Sequence, residues 1–464
     1  MSGASMKTDR FINEFYRGPG GIKALLTIAT PIMISYGTET LMMFTDRLFL
    51  SRLGREHLSA GMSGSMTTFL CMSLFLGIVA YVNALVAQHY GAGKKAYCSK
   101  AMTQGLIVSL LSYPIMIFIA IQAKWLFIKS GHAPDVVELE YAYLSILIYG
   151  SLLSCFRTAF SSFFAGIGRT RIVMIANFLS MALNIPFNYV FIFGKFGFPA
   201  MGIRGAAYGT LIGIFGGLLL LVFAYFRESN RREFRIDESF VIHKDLLRKL
   251  VRYGFPSAIE LTLNICAFTI FLLLFHSYGK SVAAAVTIAF NWDLVSVVPI
   301  FGLGIGSTAL VGQRLGARDI PAAKQACLSG VIIGLFWAMI MSIIFLSATE
   351  HLVQIFIPSD ISEFADVSPL GIVLLRLTSL YLIFDACLVI IGGALRGAGD
   401  TVWIMWVSVV LHWLMMMGQY YLIKVRHISP TNSWLLFVGF VIVLSITFML
   451  RYRSGRWQQF NLVD

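Results

Sequence analysis

Charged residues are scarce in this sequence, and their scarcity excludes most soluble proteins. Only 13% of the 464 residues are Asp, Glu, Lys or Arg, whereas 58% are hydrophobic. Apolar stretches of 18 or more residues recur along almost the whole length, and each could cross a hydrocarbon core about 30 Å thick as a helix. Because lipid offers exposed backbone groups no partners, the composition predicts an all-α polytopic membrane protein.

Motifs of enzymes and of metal sites are also missing. The six cysteines form no Cys-x-x-Cys pair, GAGKK at residues 91–95 lacks the spacing of a P-loop, and neither H-E-x-x-H nor G-x-S-x-G occurs. We predict that the chain is not an enzyme and has no cofactor. The net charge of +13 comes from Lys and Arg in short loops rather than from a continuous basic face, so lipid is the predicted partner and nucleic acid is not.

Twelve membrane spans are predicted, in two lobes at residues 24–227 and 247–451. A cytoplasmic linker at 228–246 joins the lobes, and the tails at 1–23 and 452–464 are also predicted to be cytoplasmic, because the basic residues favour that side of the inner (cytoplasmic) membrane. The predicted spans cover residues 24–50, 58–87, 101–125, 139–165, 171–195, 205–227, 247–276, 282–312, 321–348, 366–395, 401–425 and 431–451.

The two lobes have matching sequences. A single offset places NALVAQHYGA at 83–92 on TALVGQRLGA at 308–317, and the same offset pairs Pro31 with Pro256 and Gly54 with Gly279. After an insertion, GIGRT at 166–170 falls on GAGDT at 397–401. We infer two duplicated six-helix bundles, an arrangement typical of transporters that alternate access to a central site.

Acidic residues inside predicted spans are the strongest functional signal, because each is costly in lipid. Glu260 and Asp385 lie deep in the seventh and tenth spans, and Tyr381 is one helical turn from Asp385. Two converging carboxylates would share a proton or hold a cation, and oxygen ligands suit Na⁺ or H⁺ rather than zinc. The alternative is that each acid is only hydrogen-bonded to a neighbouring helix.

Polar residues in the first lobe carry a weaker signal. Asp46 could be an acid of the site or could form an ion pair at the membrane rim with Arg47. Asn184 and Asn188 share a helix face with Pro186 between them, so they could coordinate an ion or join helices by hydrogen bonds. The roles of Glu39, Arg47 and Asp293 are left unassigned.

The sequence resembles the multidrug and toxic compound extrusion (MATE) transporters, in particular their NorM-type bacterial branch, across all twelve spans. Order and spacing of the matching stretches agree together, which makes the resemblance specific. The stretches are ATPIMI at 29–34, MFTDRLFLSRLG at 43–54, LVAQHYGAG at 85–93, LNIPFNYVFIFGKFGFPAMGIRGAAYGT at 183–210, GFPSAIEL at 254–261, FGLGIGSTALVGQRLGA at 301–317 and YLIFDACLVIIGGALRGAGDT at 381–401.

The resemblance implies a V-shaped pair of six-helix lobes and cation-coupled export of organic, often cationic, compounds. It places a cation site, with Na⁺ as the candidate metal, at the second-lobe residues Glu260, Tyr381 and Asp385. In the first lobe it assigns a proton, cation or substrate role to Asp46, with Asn184, Asn188 and Thr210 beside it.

Some expectations remain open. Asn188 occupies a position that is Asp in some relatives, so a first-lobe Na⁺ site is weakened. The coupling ion, Na⁺ or H⁺, is not fixed, and a monomer is expected. Two alternative functions remain open. One is a flippase of lipid-linked saccharides, which would require a cavity with basic residues, and the other is an exporter of a specific metabolite.

Overall fold

The structure is a computed structural model that describes residues 15–129, 134–356, 367–460 and 462–463. Residues 1–14 of the predicted N-terminal tail lie outside this set. All regular secondary structure in the described ranges is helical, as predicted. The helices are α1 (Ile22–Ser51), α2 (Arg55–Ala80), α3 (Val82–Gly91), α4 (Lys95–Lys129), α5 (Pro134–Tyr149), α6 (Ser151–Gly166), α7 (Thr170–Phe193), α8 (Ile203–Phe226), α9 (Glu228–Glu233), α10 (Lys244–His276), α11 (Lys280–Gly316), α12 (Ile320–Ser347), α13 (Thr349–Gln354), α14 (Val367–Ala398), α15 (Thr401–Tyr420) and α16 (Pro430–Arg453).

Ten helices in the described ranges are long and apolar enough to cross a membrane, and α2 and α3 together count as one of them. The pair α5 and α6, bent by 48°, gives an eleventh. Helix α1 has 30 residues, about 45 Å at 1.5 Å per residue, but Glu39 and several hydroxyl side chains lower its hydropathy. With α1, the helices match the twelve predicted spans in order.

The chain packs as two compact units. The N-terminal unit comprises residues 30–261 with the last described residues, and the C-terminal unit comprises residues 262–460 with the residues up to 29. This division by packing falls inside α1 and α10, close to Pro31 and Pro256, whereas the predicted lobes meet in the linker at 228–246. The predicted lobes therefore follow the sequence repeat, and the packing units have different boundaries.

Backbone geometry repeats between the two units at the predicted offset. Along the sequence, α11 begins as many residues after the start of α2 as α12 begins after the start of α4. This number of residues is also the offset that aligns the two sequences. The residue before α2 and that before α11, Gly54 and Gly279, have φ angles of 129° and 122°. Because only glycine adopts such angles readily, the same turn recurs in both units.

Candidate functional site

Helices α11 and α14 of the C-terminal unit pack closely because glycines face each other. A Cβ atom at Gly393 would lie 2.2 Å from the carbonyl oxygen of Gly304, and one at Gly397 would lie 2.4 Å from that of Thr308. The Thr308 hydroxyl donates to the Gly393 carbonyl at 2.9 Å. Since residue numbers increase together along this seam, the two helices run in the same direction.

The same register brings Asp293 of α11 to the Tyr381 and Asp385 region of α14. The Asp293 carboxylate faces the Tyr381 hydroxyl and lies within electrostatic range of Asp385. Tyr381 is 2% exposed, and its ring packs edge to face on Phe437 with centroids 5.5 Å apart. We call Asp293, Tyr381 and Asp385 the C-terminal acidic group.

Open hydrogen-bonding positions remain in this group. One carboxylate oxygen of Asp293 and the hydroxyl of Tyr381 are buried and make no hydrogen bond of standard geometry among the described residues, although the two side chains face each other. Leaving a buried polar group unpaired typically costs about 1–3 kcal/mol, so such atoms call for an explanation. A proton or a monovalent cation between the carboxylates would satisfy them.

Glu260 is placed differently from the residues predicted to join it. It is 5% exposed on α10 and belongs to the N-terminal unit, whereas Tyr381 and Asp385 belong to the C-terminal unit. Its pairing with Asp385 stays a prediction. Asp293 is the residue that the structure adds to the site, and sequence reasoning left it unassigned although it is an acid inside a predicted span.

The four predicted first-lobe residues form one hydrogen-bonded chain, which we call the Asp46 network. The Asn188 side-chain amide donates to the Asp46 carboxylate. It also donates to the side-chain oxygen of Asn184, at 3.3 Å. Asn184 donates to the Thr210 hydroxyl, also at 3.3 Å. Both asparagines are completely buried. Arg47 is exposed, and no ion pair joins it to Asp46 in the described ranges, so the rim-pair alternative is not supported.

Glycines of α8 make room for this network. A Cβ atom at Gly209 would lie 1.9 Å from the Asn188 side-chain oxygen, and one at Gly213 would lie 2.9 Å from the Asn184 Cβ. Tyr143 of α5 is a further neighbour that sequence reasoning missed. Its side chain interacts with Asp46 and Thr210, so α1, α5, α7 and α8 all contribute to the network.

Glu39 of α1, unassigned from sequence, lies beside Arg157 of α6 and Asn177 of α7. The Arg157 guanidinium nitrogens are 3.3 and 3.4 Å from one Glu39 oxygen, and Asn177 donates to the same oxygen at 3.4 Å. Arg157 also donates to the Asn177 side-chain oxygen at 2.9 Å. An arginine within the predicted span 139–165 was visible in the sequence but was not singled out.

Comparisons with known proteins agree with the fold. The MatE family model matches residues 31–190 and 256–421. The probable multidrug resistance protein NorM of Pasteurella multocida is 28% identical over 443 residues, covering 93% of this chain and 94% of that one. The probable multidrug resistance protein NorM of Thermotoga maritima is 28% identical over 442 residues, covering 94% of this chain and 93% of that one. Both names are those of multidrug resistance proteins and neither is that of an enzyme, in agreement with the expectation that the chain is not an enzyme.

Solved structures of two transporters share the architecture. A multidrug resistance MATE family transporter of the MOP superfamily, solved in an outward-facing conformation, matches with a TM-score of 0.86 and 22% identity, covering 96% of this chain and 98% of that one. A MOP superfamily transporter from Pyrococcus furiosus matches with a TM-score of 0.85 and 21% identity over the same shares. The predicted fold is thereby confirmed.

Proposed function

The chain belongs to the MatE family, and from this premise we propose that it is a secondary antiporter that exports organic, often cationic, compounds while Na⁺ or H⁺ enters. The observation that carries this proposal is the C-terminal acidic group. Asp293, Tyr381 and Asp385 bring two carboxylates and a phenol together inside apolar helices, with polar atoms left unpaired. A transported cation would satisfy these atoms on each cycle.

A monovalent cation or a proton suits this group better than a resident transition metal. No group of three or more His, Cys, Asp or Glu side chains that could hold a metal ion occurs within the described ranges. Carboxylate and hydroxyl oxygens are hard ligands, and two neighbouring carboxylates in a low-dielectric site hold a proton or a cation between them. Glu260 is retained as a proposed further ligand.

Cation entry would supply the free energy of export. A membrane potential of 100 mV provides about 2.3 kcal/mol for each charge that moves inward, whereas a tenfold concentration gradient costs about 1.4 kcal/mol. One cation per cycle therefore suffices to sustain a gradient of more than tenfold for a neutral solute, and export of a solute with one positive charge needs two cations per cycle to gain the same free energy from the potential. Binding at Asp293 and Asp385 would bias the equilibrium between inward-open and outward-open states, because the cation binds one state more tightly.

For the Asp46 network we propose a role in substrate or proton binding. Asp46 lies at the end of a chain of neutral hydrogen-bonding side chains, so a change in its charge would be felt by Asn188 and Asn184. Asn188 is uncharged, which leaves Asp46 as the network's acid. We also propose that the chain acts as a monomer in the cytoplasmic membrane, with both termini in the cytoplasm.

The flippase alternative is less well supported. Recognition of a pyrophosphate would favour unpaired basic residues inside the helices. Arg157 is a basic residue within the spans, but Glu39 lies beside it at 3.3 Å and offsets its charge. Export of a single metabolite is compatible with the same cation site. It is distinguished from multidrug export by measuring how many different compounds the protein transports.

Transport by the purified full chain in proteoliposomes tests the proposal. Ethidium is the cationic probe, and its movement is recorded with an imposed Na⁺ gradient, an imposed pH gradient, or no gradient. We expect one gradient to raise the initial rate at least about tenfold, which identifies the coupling ion. Equal rates in the three conditions, with active protein verified by ethidium binding, would overturn coupled antiport.

A further inference from the structure

An exposed apolar segment lies in the part of the chain that joins the two predicted lobes. Phe240, Val241 and Ile242 follow one another, and their exposed fractions are 53%, 52% and 69%. Contiguous exposed apolar residues, unlike scattered ones, mark a contact surface for lipid or for another protein. We call these three residues the apolar segment.

Side chains of α4 fix the backbone of this segment. Gln104, which is completely buried, donates to the Val241 carbonyl at 3.0 Å and accepts from the His243 amide at 3.1 Å. The Thr103 hydroxyl donates to the Ser239 hydroxyl at 3.3 Å, and the Val241 amide donates to the Ser239 carbonyl at 2.8 Å. Because these backbone groups have partners within the protein, the segment can enter a less polar medium without leaving them unpaired.

The same contacts place the apolar segment at the level where two membrane spans end. The Phe240 ring stacks on that of Phe226, the last residue of α8, with centroids 6.0 Å apart and planes 9° apart. Gln104 lies inside the predicted span 101–125, and α4 and α8 are both long and apolar enough to cross a membrane. A segment held at these two points lies at the edge of the hydrocarbon region rather than in bulk water.

Three basic residues next to the segment have no ion pair in the described ranges. They are Lys100 of α4, Arg227 directly after α8 and Lys244 at the start of α10. Lys100 lies one helical turn before Gln104, and its ammonium group is 5.1 Å from the centre of a tyrosine ring. Of the acids at residues 227–249, only Asp245 has no ion pair with a described residue, so positive charge is in excess here.

The arginines at residues 231–235 differ, because each has an acidic partner. The pairs are Arg231 with Asp237 at 2.8 Å, Arg232 with Glu228 at 2.5 Å and Arg235 with Glu238 at 4.0 Å. These arginines therefore add little attraction for an outside anion, whereas the three basic residues beside the apolar segment are available for one.

We propose that the apolar segment is an interfacial anchor that enters the membrane surface, and that Lys100, Arg227 and Lys244 bind the phosphate groups of acidic phospholipids there. Apolar side chains gain free energy when they enter the boundary between headgroups and acyl chains, and each Lys or Arg near an anionic surface adds attraction. A zwitterionic headgroup carries its own positive charge and offers less. The proposal concerns lipid binding and is independent of the proposed antiport.

A fluorescent label tests where the segment lies. Ile242→Cys is made in the full chain after its six native cysteines have been replaced, labelled with the fluorophore NBD and reconstituted into vesicles of phosphatidylglycerol and phosphatidylcholine. The control is Ser229→Cys, at an exposed residue of α9. We expect aqueous iodide to quench the label at 242 at least about fivefold less than the label at 229, and doxyl-labelled lipid to quench the label at 242 more strongly.

Lipid preference is measured on the chain with its native cysteines, so it does not depend on the labelled variants. Native mass spectrometry of the purified protein gives its affinities for phosphatidylglycerol and phosphatidylcholine. We expect phosphatidylglycerol to bind at least about tenfold more tightly, because each basic residue near an anionic group contributes about fivefold.

Variants with equal changes of net charge assign this preference. Lys100→Gln with Lys244→Gln should lower it at least about fivefold. The matched control, Arg231→Gln with Arg232→Gln, removes two arginines that already have acidic partners and should change the preference less than about twofold.

Iodide quenching that is as strong at 242 as at 229 would overturn the anchor. A label at 242 that neither iodide nor doxyl-labelled lipid quenches would also overturn it, because protein would then cover the segment. Equal affinity of the wild type for the two lipids, or equal loss of preference in the two double variants, would overturn the acidic-lipid site.

Discussion

Asp46 in the N-terminal unit and Asp385 in the C-terminal unit are both acids inside membrane spans, but their surroundings differ. Asp46 accepts a hydrogen bond from Asn188 and ends a chain of amides and a hydroxyl. Asp385 has Asp293 as a charged neighbour and Tyr381 nearby, with buried polar atoms left unpaired. The first arrangement surrounds one acid with fixed dipoles, whereas the second places two acids near each other, as the proposed cation site requires.

The sequence repeat shows how the difference arose. In the alignment that places Gly166 on Gly397, Asp385 corresponds to Ser154. In the alignment that places Gly54 on Gly279, Asp46 corresponds to Phe271. Neither acid therefore has an acidic counterpart, and the duplicated helices kept their backbone turns while their polar side chains diverged.

One polar contact recurs in both units with its charge changed. Glu39 and Asn177 correspond to Asn264 and Ser408 in the same two alignments. The Asn264 amide donates to the Ser408 hydroxyl at 2.9 Å, as Asn177 donates to Glu39 at 3.4 Å. The helix positions thus meet in each unit, but only the N-terminal unit carries an ion pair there.

The largest expected effect comes from Asp385→Asn. This change removes the acid that we propose to hold the cation, so gradient-driven ethidium transport should fall by roughly fiftyfold, the equivalent of about 2.3 kcal/mol at about 1.4 kcal/mol per tenfold. Initial rates in proteoliposomes measure it. The matched control is Asp319→Asn, because Asp319 caps α12 by accepting from the Ala322 amide at 3.0 Å and asparagine caps equally well. Equal loss in the control would remove the assignment.

A smaller loss, of about tenfold (about 1.4 kcal/mol), is expected from Asp293→Asn. This variant keeps Asp385 and Tyr381 but removes the second carboxylate of the C-terminal acidic group. Transport should need a higher cation concentration for half-maximal rate, because the cation loses one of two charged ligands. If the cation concentration for half-maximal rate is unchanged, Asp293 is a structural residue, and the C-terminal unit, like the N-terminal unit, has a single acid in its site.

Gly209→Ala tests the packing behind the Asp46 network. The added Cβ would lie 1.9 Å from the Asn188 oxygen, so Asn188 or α8 must shift, at a typical overpacking cost of about 1–3 kcal/mol. A lowered melting temperature in detergent should result. Gly439→Ala on α16 is the control, because nothing lies within 4 Å of its added Cβ. Equal stability of both variants would contradict the close contact.

The smallest effect is expected at residues 228–246, the predicted linker between the lobes. Glu233 lies 2.6 Å from Arg169 and 3.0 Å from Lys95. Partial burial acts to raise the Glu233 pKa, but the hydrogen bonds and charges of these two cations outweigh it and hold the pKa below its ordinary value.

Because the folded-state pKa is depressed, the stabilisation is present above about pH 4.5, the ordinary value, and is lost as the pH falls through the lowered pKa. Glu233→Gln should therefore lower the melting temperature slightly at pH 7, and the difference from wild type should vanish in strong acid. A difference that grew on acidification would have the wrong sign for this account.

Helices and repeats could be predicted from the sequence because they depend on local signals. Apolar runs set the spans, and glycines at residues 54 and 279 set matching turns. The link from Asn188 to Asp46 was only one of the alternatives, since periodicity places side chains on faces without naming the facing helix.

The missed residues have the same explanation. Asp293 lies far from Asp385 along the chain, and only the glycine seam between α11 and α14 brings them together. Arg157 was visible as an arginine in an apolar run, yet its partner Glu39 lies on a helix distant in sequence. Charged residues within spans are therefore best paired with one another before any is left unassigned.

Cation movement itself is the most direct test of the difference between the two units. An outward-directed ethidium gradient is imposed across proteoliposomes, and the countermovement of Na⁺ and H⁺ is followed with ion-sensitive dyes in wild type, Asp385→Asn and Asp46→Asn. We predict that wild type moves one of the two cations inward, that Asp46→Asn still does so but more slowly, and that Asp385→Asn moves neither. Cation entry at the wild-type rate in Asp385→Asn would contradict the account.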